Sequence, residues 1–165
     1  MKKLKILGIA MVMALLVTGC SSSGGNDKSI LNKKVEMETT AISKPIEDGT
    51  LSVDVSYPKD DYSVVKNTDL SGDMGYFGVF KGEEKVAEIY LTELLDIKTY
   101  EDKDNAEKGT KDGQSYVLLE EDVSDSVSYK YIQNVKETGS TVSVSSKDKD
   151  IVKEVFDNFH FSESK

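Results

Sequence analysis

Alternating apolar residues, polar turns between them and one apolar helical stripe near the end predict an α+β class. The expected architecture is an antiparallel sheet of five to six strands packed against an amphipathic C-terminal helix. Leu51, Val53, Val55 and Tyr57, spaced by Ser52, Asp54 and Ser56, have the period of a half-buried strand. Polar breaks at Lys81-Gly82-Glu83-Glu84-Lys85 and Glu137-Thr138-Gly139-Ser140 each separate two strand-like runs, which marks hairpins. Ile151, Val152, Val155, Phe156 and Phe159 fall on one helical face.

In chain order, Lys28 to Pro45 reads two ways. Val35, Met37, Thr39 and Ala41 alternate with Glu36, Glu38 and Thr40, as in a strand or a stalk. The run Leu51 to Tyr57 ends where Pro58 removes an amide donor. Gly75 to Phe80 and Val86 to Leu91 form the first predicted hairpin. Thr99 to Gln114 is polar and reads as an exposed loop or a loosely attached helix. Ser115 to Leu119 is a further strand; Val127 to Val135 and Thr141 to Val144 make the second hairpin. Ser146, or Ser145 with Asp148, can cap the final helix, and Asp148 and Asp150 suit the positive end of its dipole.

The two ends of this region resemble those of the PsbP-like fold. The residues concerned are Tyr57-Pro58 closing the opening strand, and Ile151-Val152-Lys153-Glu154-Val155-Phe156 running into Phe159-His160-Phe161. That resemblance implies an antiparallel sheet between helices. It implies no single activity, since several members of the family are accessory or docking subunits. Lys59-Asp60-Asp61-Tyr62 stands where that family often carries Gly-Trp.

The beginning of the chain carries an address. Lys2, Lys3 and Lys5 precede an apolar run from Ile6 to Val17, then Thr18-Gly19-Cys20. A basic start, a short apolar run and small residues form an export signal. The run is too short to span a bilayer core, which takes roughly 20 residues in a helix. Val17 to Cys20 resembles the lipobox of bacterial lipoproteins. The resemblance implies cleavage between Gly19 and Cys20, and diacylglycerol and further acyl modification on Cys20. A cell-membrane, lipid-anchored, extracytoplasmic protein is therefore expected. The predicted organisation is a signal peptide at 1–19, the lipidated cysteine and a flexible tether at 20–45, and one globular domain at 46–165.

Charge narrows the partners. The chain has 21 basic residues, all lysine, against 30 acidic ones, a net charge of −9. Removing the signal with its three lysines deepens this to −12. An acidic surface without guanidinium forks suits neither nucleic acid nor anionic headgroups. No nucleic acid is expected, and an envelope protein is the expected partner.

Catalytic constellations are hard to find. Cys20 is the single cysteine and His160 the single histidine. His160 between Phe159 and Phe161 reads as an exposed spacer, and one histidine makes a poor start for a zinc site. No serine lies in a nucleophile elbow. Carboxylates are abundant at Glu101, Asp102, Asp104, Glu107 and Asp112, and at Glu120, Glu121, Asp122 and Asp125. They suit calcium chemically, yet neither the loop from Asp102 nor Asn67, Asp69 and Ser71 keeps the spacing of a calcium-binding loop. Tyrosines supply the other surface: Tyr57, Tyr129 and Tyr131 are the candidates for a ligand groove. The expected function is a non-enzymatic binding or accessory domain, with no cofactor and no metal. The rival is a small envelope enzyme or calcium-dependent domain working through the carboxylate loops.

Overall fold

A computed structural model describes residues 34–66, 75–93, 95–123, 126–135 and 140–164. These residues belong to one compact unit running from Lys34 onward. Cys20 and the signal lie outside the described residues, as do Asn67, Asp69, Ser71 and Asp125.

Among the described residues ten strands and two helices follow one another. The chain begins with β1 (Met37–Ile46), β2 (Gly49–Pro58), β3 (Ser63–Lys66), β4 (Tyr76–Lys81) and β5 (Glu84–Thr92). After α1 (Lys98–Glu101) come β6 (Glu107–Lys111), β7 (Gln114–Val123), β8 (Ser126–Asn134) and β9 (Thr141–Ser146). Last come α2 (Lys149–Asn158) and β10 (His160–Glu163). All pairings are antiparallel and make two sheets, a three-stranded one ordered β1-β2-β10 and a seven-stranded one ordered β3-β4-β5-β9-β8-β7-β6. The α+β class stands, and the expected five to six strands become ten in two sheets.

The additional strands are those whose side chains carry little apolar signal. β6 reads Glu-Lys-Gly-Thr-Lys and is held by its backbone ladder to β7. β3 and β10 have four residues each, too few for a period to emerge. The stretch expected as a loop or helix from Thr99 to Gln114 is thus one short helix followed by a hairpin arm. β1 resolves the other ambiguity: Met37 to Ile46 pairs along its whole length with β2. The boundary expected at residue 46 therefore falls at the end of a folded strand.

One core lies between the two sheets and α2. The small sheet contributes Ile42, Val53, Val55, Tyr57 and Phe161, and the large sheet Phe77, Val79, Ile89, Leu91, Tyr131, Val142 and Val144. Helix α2 packs on β5, β8 and β9 and buries Val152 and Val155. Its start is capped by Asp148, in place of the expected Ser145 or Ser146: the Asp148 carboxylate accepts from the Asp150 amide at 2.8 Å, while Ser146 Oγ accepts from the Asp148 amide at 3.1 Å. Phe159 ends the helix, stacks on Tyr57 with ring centroids 5.5 Å apart, and meets Tyr62 edge-on at 5.0 Å. A second, smaller cluster on the opposite face of the large sheet joins Val117, Leu119 and Ile132 to Ile97 beside α1. Among the described residues no helix is long and apolar enough to cross a membrane.

Candidate functional site

Strands β6 and β7 extend beyond the region of the large sheet that α2 covers. That overhang creates a cavity of about 210 Å³ beside the first half of the helix. Its walls follow from strand parity. Glu107 pairs with Leu118, and Glu120 with Tyr129, so all four side chains face the helix side of the sheet. Lys149 and Lys153, four residues apart, share one helical face, with Val152 beside them. The apolar side chains on this face are Leu118, Tyr129 and Val152, and the charged ones Glu107, Glu120, Lys149 and Lys153; Leu119 and Lys130 also border the cavity, but their parity turns their side chains to the other face of the sheet.

The charges differ in how they are engaged. Lys130 and Lys103 both bind Glu121, the latter at 2.8 Å, and these two lysines hold the Glu121 carboxyl below its usual range. The Lys149 ammonium sits 5.8 Å from the centre of the Tyr129 ring. Among the described residues Lys153, Glu107 and Glu120 make no ion pair. The Asn105 amide closes one corner by donating to the Glu120 backbone carbonyl at 2.6 Å.

A larger open depression of about 520 Å³ lies at the turn after β2, lined by Pro58, Asp60, Asp61, Tyr62, Lys81, Glu154 and Asn158. Its central groups are already engaged with one another. Glu154 accepts from Tyr62 at 2.7 Å and pairs with Lys81. Burial first, then the Glu154 carboxylate, pushes the Tyr62 hydroxyl up to about 12. Lys81, and to a lesser degree Tyr62, holds Glu154 low. This triad fastens α2 to β4 and leaves few groups for a ligand, so the smaller cavity is the better candidate site.

The three tyrosines expected to line a groove are not brought together. Tyr57 is 2% exposed, with its hydroxyl 3.0 Å from Thr40 Oγ1. Tyr131 is fully buried and donates to Gln133. Both are core residues, and Tyr129 alone reaches the cavity. His160 is exposed, with its Nδ1 2.9 Å from Asp112 Oδ2. The two carboxylate stretches meet at the cavity through Glu107 and Glu120, and among the described residues no three histidine, cysteine or acidic side chains form a metal-holding group. Lys149 and Lys153 give no signal in the sequence, and Glu107 and Glu120 stand there only as members of two separate carboxylate stretches, because their proximity depends on the β6–β7 pairing. The available signal was Asp112-Gly113, a two-residue hairpin dipeptide.

Comparison with known proteins finds no matching family model, and no curated protein or solved structure with significant similarity.

Proposed function

We propose that this chain is a lipid-anchored extracytoplasmic binding domain without enzymatic activity, engaging its partner through the cavity between α2 and β6–β8. The observation that carries the reading is that cavity, whose apolar lining is edged by Lys153, Glu107 and Glu120 without ion partners. Unpaired charge around apolar surface is the usual composition of a recognition site, where a few polar groups fix orientation. The basic start, the apolar run to Val17 and Cys20 support the anchor. Two acyl chains hold a protein stably where one does so marginally, at about 0.8 kcal/mol per buried CH2. The PsbP-like ends of the domain agree with an accessory role.

The test is photochemical cross-linking in intact cells, comparing the wild type with Cys20→Ala and Lys153→Glu. The expected result is a partner captured by the wild type and lost in both variants. Equal capture by Lys153→Glu removes the cavity from the contact, and equal capture by Cys20→Ala removes the anchor.

A further inference from the structure

The charges around the cavity are sorted by element. Lys149 and Lys153 come from α2, whereas Glu107 and Glu120 come from β6 and β7, which lie beyond the strands that α2 packs on. Positive charge therefore lines the helix side and negative charge the strand side. Leu118, Val152 and Tyr129 lie with them in the lining, and contact between Tyr116 and Phe156, at 4.8 Å between ring centres, ties β7 to the far half of the helix. The volume of about 210 Å³ corresponds to roughly seven waters at about 30 Å³ each.

We infer that this cavity binds a free α-amino acid with an apolar side chain. A zwitterion is the complement of separated, opposite and unpaired charges. Its carboxylate would accept from the Lys149 and Lys153 ammonium groups, which act as compact point charges. Its ammonium would donate to Glu107 and Glu120, acceptors only when ionised. Its side chain would displace water from Leu118, Val152 and the Tyr129 ring. A purely anionic amphiphile meets two glutamates here, and a purely cationic one meets two lysines. Only a molecule carrying both charges a few atoms apart satisfies both walls.

This assignment rests on the cavity being the binding site, and its test is separate from the cross-linking above. The purified full-length chain, labelled at Leu and Val methyl groups, is titrated with L-leucine, L-leucinamide and N-acetyl-L-leucine. L-Leucine is expected to shift the Leu118 and Val152 methyls saturably, with at least about tenfold weaker binding of the two derivatives, each of which lacks one charge. Lys153→Ala is expected to weaken leucine about fivefold or more and leave leucinamide unchanged, and Glu120→Gln to weaken leucine and leave N-acetyl-leucine unchanged. Both replaced side chains are exposed, so the variants retain the fold. Equal binding of all three probes, or no saturable shift by leucine up to about 10 mM, overturns the amino-acid assignment. Cross-linked capture that still depends on Lys153 then leaves the cavity standing with a different ligand.

Discussion

Glu121 is the clearest electrostatic anchor in the molecule, held between Lys103 and Lys130. Its carboxyl, like that of Glu154, is depressed in the folded state. A depressed carboxyl contributes stability that is present above its unfolded value and lost as pH falls through its folded value. Melting temperature is therefore expected to decline as pH drops below about 4.5, and Glu121→Gln to flatten that decline in thermal melts. At the alkaline end the sign reverses. Tyr62, pushed up to about 12, contributes stability that is complete below pH 10 and lost between there and its folded value. Tyr62→Phe is expected to remove that part of the alkaline loss in urea titrations. Gly75 has φ of +77°, and a Cβ there would lie 2.7 Å from the Leu91 carbonyl oxygen. Gly75→Ala is expected to destabilise by about 1–3 kcal/mol, read from the denaturant midpoint. None of these contacts is legible along the chain, because Tyr62 and Glu154, or Gly75 and Leu91, meet only after the sheets form.

Elements were legible where side chains carry the period. Leu51 to Tyr57 and Val86 to Leu91 lie in β2 and β5, the run after Gly75 lies in β4, and the stripe lies in α2 from Ile151 to Phe156, with Phe159 as its C-cap. β6 was hidden because an edge strand needs only backbone pairing and has no apolar alternation to show. Its turn holds Asp112 at φ 53° and Gly113 at φ 77°, the left-handed pair that a two-residue hairpin requires. The arm is fastened at its tip. Lys111 donates to the Phe159 carbonyl at 2.8 Å, its ammonium lies 4.7 Å from the Phe156 ring, and burial lowers its pKa. Replacing Asp112-Gly113 by two alanines is expected to strip hydrogen-exchange protection from β6 before β4 and β5 are affected. Uniform loss across both would show the arm to be part of the global folding unit. The cavity depends on this arm, so the groove expected from tyrosines alone was misplaced. Strand parity buries Tyr57 and Tyr131, and the charges around Tyr129 come from Glu107 of β6, Glu120 of β7 and Lys149 and Lys153 of α2.

At the scale of the whole molecule, two sheets share one core without a disulfide, and the charge balance leaves Lys149 and Lys153 beside acidic strands. The proposed anchor predicts that Cys20→Ala moves the protein from the membrane to the soluble fraction, measured by fractionation and immunoblot. β10 is the last strand, and it closes the small sheet on β2, with Phe161 opposite Val55 and His160 opposite Ser56. More than a hundred residues separate these partners, so the pairing that completes the core is also the most distant strand pairing among the described residues. A growing polypeptide leaves β2 with an open edge, and Val55 without Phe161, until β10 emerges. The core of the domain therefore cannot be completed until both halves of this distant pairing have been made.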